Sequence, residues 1–196
     1  MPAPAVRIAD LPRHAGQSVR LDGWLYNKRL TKNLQFLQVR DGSGIAQCTV
    51  VRSEAPPEAS EAGERVTQES SLSVEGNVRA EPKAPGGFEL SVTSVTVHQL
   101  AQDYPIAKQD HGPDFLLTNR HLWLRSRKQV AVMKVRHTVI KAIRDFFDGE
   151  GFTLVDAPVF TPAACEGTTT LFEVKYFDDA KAYLTQSGQL YMEAAA

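Results

Sequence analysis

The sequence predicts an all-β barrel followed by the beginning of an α/β domain, in which helices accompany an antiparallel sheet. Between residues 19 and 100, apolar residues alternate with polar ones in five short runs, the pattern of half-buried strands. The segment 56–68 is rich in Glu and Ala and predicts a loop and a short helix between the third and fourth runs. After residue 126 the apolar spacing changes to steps of three and four, which is the period of a helix.

The five predicted strands occur in the order of an OB-fold barrel, in which one helix separates strands three and four. The turn 41–44 contains two glycines, which supply the positive φ of a tight connection, and the turn 82–87 is rich in Pro and Gly. A fragment of an antiparallel sandwich has a similar order of elements and stays an alternative. The residues that define the five runs are Val19, Leu21, Gly23 and Leu25; Leu34, Phe36, Leu37 and Val39; Ile45, Ala46, Cys48, Val50 and Val51; Leu72, Val74, Gly76 and Val78; Phe88, Leu90, Val92, Val95 and Val97.

The second half of the chain is predicted to begin after a linker that has no apolar period. A helix is predicted over 126–147, with an apolar stripe wide enough to bury more than one face. Strands are predicted at 152–155, 171–176 and 182–185, and the last of them leads into a helix through small and amide side chains. We therefore divide the chain into a barrel domain over 1–100, a linker over 101–115 and part of a second domain over 116–196.

Composition is that of a globular protein, with 42% apolar and 23% charged residues in 196. We expect a cytoplasmic protein without a membrane span or a secretory signal, because the sequence has no long apolar run and no basic-then-apolar start. The two cysteines are expected to be reduced, and the histidines lack the spacing of zinc ligands. Residues 1–52 hold eight Lys/Arg against three Asp/Glu, so a basic strip that meets phosphates is possible beside ordinary surface charge.

Three blocks of sequence resemble the class II aminoacyl-tRNA synthetases of the aspartate, asparagine and lysine subgroup. The segments 21–24 and 36–47 are similar to the N-terminal anticodon-binding OB domain of that family. The long helix and the segment Gly151 to Pro158 resemble the family's motif 1, and Gln186-Ser187-Gly188-Gln189-Leu190-Tyr191 resembles its amino-acid pocket. Within the subgroup, the segments 103–106, 111–115 and 120–126 look most like the asparagine-specific enzymes.

Met192 is the position that separates asparagine from aspartate in this resemblance. Aspartate-specific members place a lysine there, where its ammonium meets the substrate's carboxylate. An amide substrate has no charge to pair, and a buried unpaired lysine costs several kcal/mol, roughly. A neutral Met192 therefore suits asparagine, although methionine is more often used simply to pack a helix.

The resemblance also implies roles for four residues of the barrel. Phe36 would stack on the central uracil of the anticodon, and Gln47 would read the same base by hydrogen bonds, since an amide offers both a donor and an acceptor. Glu89 would accept from a guanine at the first anticodon position. Arg29, with Lys28 and Lys32, would contact phosphates. From periodicity alone, Phe36 is better explained as a core residue, and the others are as well explained as solvated strand or turn residues.

In the second domain the resemblance implies an amino-acid site. Glu166 would bind the α-ammonium of asparagine, Gln189 would help to hold the same amino acid, and Ser187 and Met192 would line the pocket. Pro158 corresponds to the motif 1 proline at the dimer interface, so a homodimer is implied for the complete enzyme. A loop glutamate, a capping serine and a strand-ending proline are the simpler explanations.

The resemblance implies ATP and magnesium as cofactors and tRNA and asparagine as partners. The family's motifs 2 and 3, whose arginines bind ATP, do not occur in residues 1–196, and no P-loop pattern replaces them. We therefore expect the 196 residues alone to be inactive in aminoacylation. An aspartate-specific synthetase and a non-catalytic module that binds tRNA or single strands through its OB domain are the alternatives.

Overall fold

The computed structural model describes residues 3–106, 109–162, 171–177 and 180–196. Contacts divide the chain into two compact units, residues 1–111 and 112–196. The first unit holds a five-stranded barrel and the second holds helices and a small sheet. The predicted fold class is therefore confirmed, and the domain boundaries given above stay a prediction.

The barrel closes in the strand order β1-β2-β3-β5-β4, which excludes the open sandwich fragment. All neighbouring strands are antiparallel except β3 and β5, which run parallel. The helix α1 lies between β3 and β4 in the chain, as predicted. The elements of this unit are a 3₁₀ helix at Ile8–His14, β1 at Ser18–Leu30, β2 at Leu34–Arg40, β3 at Ile45–Val51, α1 at Pro57–Arg65, β4 at Ser71–Ala80 and β5 at Phe88–Gln99.

Alternate residues of each strand fill the inside of the barrel. In β2, Gln35, Leu37 and Val39 are buried, whereas Leu34, Phe36, Gln38 and Arg40 are only partly covered. This alternation follows from the two-residue period of a strand, and it leaves every second residue of β2 available on the outer face. The buried apolar cluster consists of Ile8, Leu11, Val19, Leu21, Leu25, Leu37, Val39, Ala46, Cys48, Val50, Val66, Leu72, Val74, Val78, Leu90 and Val92.

The helix α1 packs on the barrel through a polar contact with β2. The side-chain amide of Gln35 is fully buried and its Nε2 donates to the carbonyl of Ser60 at 2.9 Å. A Cβ at Gly63 would lie 2.0 Å from Oε1 of Gln35, so a larger residue there would have to displace the Gln35 amide. The strand β2, which carries Phe36, is thereby held against α1 through Gln35, the residue before Phe36.

The second unit contains α2 at Pro113–Thr118, α3 at Arg120–Trp123, α4 at Arg127–Gly149 and α5 at Gln189–Ala195. The helix predicted over 126–147 is α4, and Ser126 is its N-cap, accepting from the amide of Gln129 at 3.4 Å. The short helices α2 and α3 were not predicted, and α2 begins inside the segment assigned as a linker. Their sequences lack a full apolar period because they span six and four residues.

Two expectations about the second unit were wrong. No strand forms over residues 152–158, although the structure describes all of them; the chain first joins a ladder at β6, Phe160–Thr161. Apolar character alone does not make a strand, because a strand also needs a hydrogen-bonded neighbour. The apolar face of α4 is not buried either, since its large apolar side chains are 38–64% exposed and no residue of the helix is buried.

The small sheet has the order β6-β8-β7 and is antiparallel throughout. The strand β7 at Glu173–Lys175 is shorter than predicted, and β8 at Lys181–Leu184 has the predicted length but begins one residue earlier. β8 leads through residues 185–188 into α5, which confirms the strand-to-helix junction expected from the sequence. Among the described residues, no helix combines the length and apolar character that a membrane span requires.

Candidate functional site

One face of the barrel carries a pocket of about 460 Å³. It opens between the outer sides of β1, β2, β3 and β5 and the start of the β4–β5 connection. We call it the barrel-face pocket. The residues that line it are Asn27, Arg29, Leu34, Phe36, Gln38, Gln47, Thr49, Arg79, Glu81, Lys83 and Glu89. All four barrel residues predicted to meet the anticodon therefore lie in one place.

A row of polar side chains crosses this pocket, one from each strand of the barrel. Asn27 pairs in register with Gln38, Gln38 with Gln47, Gln47 with Glu89, and Glu89 with Arg79. Paired residues of adjacent strands point to the same face, so the register places amide, carboxylate and guanidinium groups side by side. These are the groups that hydrogen-bond to base edges.

Phe36 forms the apolar part of the pocket. Its ring is partly exposed, in contrast to the buried Leu37 next to it. The guanidinium carbon of Arg29 lies 4.9 Å from the centre of the ring, within the range of a cation–π contact. An aromatic face beside a fixed positive charge suits a nucleotide, which offers both a ring to stack and a phosphate.

Glu89 is the most enclosed charged group of the pocket, with 2% of its surface exposed. Its Oε2 accepts from Nε2 of Gln47 at 2.7 Å and from Oγ1 of Thr49 at 2.9 Å, and its Oε1 accepts from Arg79. Burial by itself raises the pKa of Glu89, but the hydrogen bonds from Gln47, Thr49 and Arg79 and the charge of Arg79 outweigh it. The pKa of Glu89 is therefore lowered, and the group is a carboxylate at neutral pH.

A second cavity, of about 360 Å³, lies in the second unit at the junction of β8 and α5. We call it the junction cavity. Its wall contains Pro158, Phe160, Thr161, Pro162, Leu171, Thr185, Gln186, Ser187, Gly188, Leu190, Tyr191 and Ala194. A Cβ at Gly188 would lie 2.6 Å from the Cβ of Ala157, so glycine allows the junction to pack against residue 157.

The predicted amino-acid site residues differ in position, and Pro158, predicted for a dimer interface, lies beside one of them. Pro158 and Ser187 line the junction cavity, and Oγ of Ser187 accepts from the amide of Gln189 at 3.0 Å. Gln189 and Met192 belong to the adjoining helix α5 but not to the described wall; the Gln189 side chain donates to Glu193 at 2.8 Å, and Met192 is 39% exposed. Glu166 lies outside the described residues.

Comparisons with known proteins find relatives for both units of the chain. A family model for "tRNA synthetases class II (D, K and N)" matches residues 112–196, and one for an "OB-fold nucleic acid binding domain" matches residues 19–97. The chain is 56% identical over 194 residues to an asparagine–tRNA ligase of Sorangium cellulosum and 52% identical over 189 residues to one of Desulforamulus reducens. These matches cover 98% and 96% of this chain.

The chain belongs to the class II aminoacyl-tRNA synthetases. A solved asparaginyl-tRNA synthetase of Pyrococcus horikoshii, complexed with asparaginyl-adenylate, superimposes with a TM-score of 0.89 at 40% identity over 97% of this chain. The chain spans less than half the length of these relatives, namely 43% and 44% of the two ligases and 44% of the solved chain.

Seven of the eleven residues that line the barrel-face pocket were missed from the sequence, and three of them, Gln38, Thr49 and Arg79, show why. Gln38 and Thr49 each lie two residues after a predicted contact, Phe36 and Gln47, so the two-residue strand period was sufficient to find them. Arg79 could not be predicted from the strand period. Arg79 contacts Glu89 because β4 pairs with β5, and the register of that pairing cannot be predicted from a local sequence pattern.

Lys28 was grouped with Arg29 as a phosphate contact, and the structure places it elsewhere. Adjacent residues of a strand point to opposite sides, so Lys28 faces α1, where its Nζ donates to the carbonyls of Gly63 and Glu64. Burial lowers the pKa of Lys28, and the charge of Glu64 opposes that shift. Lys28 therefore satisfies the C-terminal carbonyls of α1, as basic residues at helix ends do.

Lys28→Ala and Arg29→Ala are expected to have different effects. Lys28→Ala should lower the free energy of unfolding by about 0.3–1 kcal/mol, because it removes a cation from a helix C-terminus. It should leave the salt dependence of RNA binding unchanged. Arg29→Ala should reduce the slope of log K against log salt by about 0.7, the value for one contact to a single strand. Urea denaturation and binding titrations between 50 and 200 mM salt, roughly the range where such slopes are measured, check both. Equal slopes for the two variants would contradict the assignment.

Proposed function

We propose that this chain is the anticodon-reading and amino-acid-binding part of an asparagine–tRNA ligase, an enzyme that uses ATP to attach asparagine to its tRNA through an aminoacyl-adenylate. The observation that carries this proposal is the barrel-face pocket, in which Phe36, Gln47, Glu89 and Arg29 come together on one face of an OB barrel. The names of the relatives, all asparagine–tRNA ligases at 45–56% identity, support asparagine as the amino acid.

In the barrel, the proposed chemistry is recognition of unpaired bases. A base would stack on Phe36, and the amide of Gln47, one strand away, would meet its Watson–Crick edge. Sequence-specific proteins recognise RNA mainly in single-stranded loops, whose bases are free to stack and to bond in this way. The anticodon loop of a tRNA is such a structure.

In the second unit, the proposed chemistry is the binding of asparagine next to the junction cavity. We assign Ser187, Gln189, Met192 and Glu166 to this role on the resemblance. A neutral side chain at Met192 fits an uncharged amide, and the small residues Ser187 and Gly188 line the neighbouring junction cavity. The match of residues 112–196 to the synthetase family favours an enzyme over a stand-alone RNA-binding module.

ATP and magnesium belong to this proposal as family expectations. When bound, they supply the activation of the amino acid's carboxyl group. In the described parts of the chain, no group of three or more His, Cys, Asp or Glu side chains is placed to hold a metal ion. In this proposal, the chain's part is to bind and orient asparagine and the anticodon.

Dimerisation and a cytoplasmic location are further proposals. The exposed apolar side chains of α4 and the position of Pro158 after it support a second copy as the partner of this face. In the family resemblance both features belong to motif 1, at the dimer interface.

The test of the proposal is binding of an RNA stem-loop that carries the asparagine anticodon GUU. We expect the 196-residue chain to bind it in an anticodon-dependent way. A change of the central uracil to cytosine should weaken binding by about 1–3 kcal/mol, the usual discrimination of one well-bonded base. Fluorescence anisotropy at constant salt measures this, with a stem-loop altered only in the stem as control. Equal affinity for every anticodon would rule out the proposed role of the barrel.

A further inference from the structure

The carboxylate of Glu89 has little acceptor capacity left in the barrel-face pocket. Nε2 of Gln47 and Oγ1 of Thr49 donate to Oε2, while Nε and Nη2 of Arg79 both contact Oε1. A carboxylate accepts about four hydrogen bonds, so the three hydrogen bonds and the Nη2 contact of Arg79 occupy most of its capacity. A guanine edge would compete with Arg79 for Oε1, which makes direct reading of a base by Glu89 less favourable.

The bond between Gln47 and Glu89 determines how the Gln47 amide is oriented. An ionised carboxylate accepts hydrogen bonds but cannot donate them, so the amide must turn its nitrogen toward Glu89. In the reversed orientation, Oε1 of Gln47 would face a buried negative charge without a proton between them, which is strongly unfavourable. Of the two protons on Nε2, one is held by Glu89. The other proton and Oε1 remain as a fixed pair, one donor and one acceptor.

This fixed pair distinguishes the two pyrimidines. Uracil presents a donor at N3 with an acceptor at O4, whereas cytosine presents an acceptor at N3 with a donor at N4. For a base held in one position by stacking, an amide that donates toward O4 and accepts from N3–H matches uracil. The same amide meets cytosine acceptor to acceptor and donor to donor. Reversing the amide would reverse the preference.

We propose that Glu89 is a positioning residue, which fixes the amide of Gln47 and thereby sets the preference for uracil over cytosine at the central base of the anticodon. This inference rests on the proposed function, because it assumes that a base stacks on Phe36. It assigns Glu89 a different role from the guanine contact that the family resemblance implies. The two roles predict changes at different positions of the anticodon.

Glu89→Gln tests the proposal, because glutamine has the shape of glutamate but can also donate. In the variant, the residue at 89 can donate to Oε1 of Gln47, so both orientations of the Gln47 amide become possible. Binding to stem-loops with the anticodons GUU, GCU and AUU is measured for the 196-residue chain. We expect the unaltered chain to prefer uracil over cytosine by about tenfold or more, given the discrimination of one bonded base. The variant should lose most of this preference and keep the same preference at the first base.

Two matched variants show whether the effect passes through Gln47. Thr49→Val removes another donor to the same oxygen but leaves the bond between Gln47 and Glu89. Thr49→Val should leave the ratio of the affinities for the GUU and GCU stem-loops unchanged, even if both affinities change. Gln47→Ala should abolish the ratio, and adding Glu89→Gln to it should change the ratio no further. A second change in the double variant would overturn the proposal.

The remaining outcomes are also decisive. If Glu89→Gln keeps the uracil preference and loses the guanine preference, Glu89 reads the first base and the inference is wrong. An equal loss for all three RNAs would also overturn a positioning role. If the unaltered chain binds all stem-loops equally, the proposed function itself fails. If Glu89→Gln does not fold, hydrogen exchange of the side-chain amides is measured in the unaltered chain instead. Side-chain amide protons of Gln47 that exchange as fast as those of the exposed Gln68 would refute the fixed orientation.

Discussion

Phe36→Ala is expected to weaken binding of the GUU stem-loop by about 1–3 kcal/mol, which corresponds to a loss of roughly 5- to 150-fold in affinity. The ring is the only aromatic side chain among the residues that line the barrel-face pocket, all of which the structure describes. Its loss removes the stacking surface while the polar row beside it remains. Arg29 also loses the ring over which its guanidinium lies. Anisotropy titrations at fixed salt measure the change.

The stability of the chain should change little in this variant, because Phe36 points away from the buried cluster. Leu37, its neighbour on β2, is fully buried and provides the contrast. Leu37→Ala should lower the free energy of unfolding by about 2–5 kcal/mol. Phe36→Trp keeps an aromatic face and should restore most of the binding. A folded Phe36→Ala chain that binds as tightly as the unaltered one would show that no base stacks there.

The strands of the barrel could be predicted because each has one buried face. In β2, burial alternates residue by residue, and the sequence shows the same alternation from Leu37 to Arg40; over residues 34–36 it is inverted, because the polar Gln35 is buried. The helix α4 was predictable for the same reason, since its apolar residues recur with the helical period and Ser126 supplies a cap. Periodicity states which residues share a face. It does not state what covers that face, and for this reason the burial expected for α4 was wrong.

Elements that depend on partners distant in the sequence could not be predicted in this way. Residues 152–155 have the apolar composition of a strand, yet among the described residues no ladder partner meets them. Arg79 joins the barrel-face pocket only through the pairing of β4 with β5. Lys28 and Arg29 are adjacent and carry the same charge. They differ only in the direction of their side chains on β1, because Lys28 contacts the end of α1 and Arg29 lines the barrel-face pocket.

The roles of the site residues depended on resemblance more than on pattern. Phe36 and its neighbours on β2 point to opposite faces of the strand. The sequence would show the same alternation if Phe36 were on the core face. The structure decides its side of the strand, and the register of β2 with β3 places Gln47 two positions from the strand partner of Phe36, Thr49. In the second unit, position along α5 did not show which side chains face the junction cavity, because Gln189 bonds to Glu193 within the helix.

Gly76→Ala is expected to destabilise the barrel by about 3 kcal/mol or more, the upper range for inserted atoms in a packed interior. A Cβ at Gly76 would lie 2.1 Å from the carbonyl oxygen of Ser91 and 3.0 Å from the Cα of Val92. Both contacts are with backbone, so no side-chain rotation relieves them. Gly76 lies where the register of β4 and β5 shifts, and it pairs with Val19 on β1 as well, so any backbone movement disturbs two ladders of the closed barrel.

Gly42→Ala is the matched control for this prediction. It is also a glycine of the barrel unit, but a Cβ there would have nothing within 4 Å, and its φ is not positive, contrary to the expectation for the turn 41–44. Its effect on the free energy of unfolding should stay within about 0.5 kcal/mol, as for most surface changes. Urea denaturation followed by circular dichroism compares the two variants with the unaltered chain. Because β4 carries Arg79, which contacts Glu89, a shift of this strand should also weaken binding of the GUU stem-loop in Gly76→Ala and not in Gly42→Ala. Identical midpoints for both variants would mean that the barrel is not closed at β4 as tightly as these distances require.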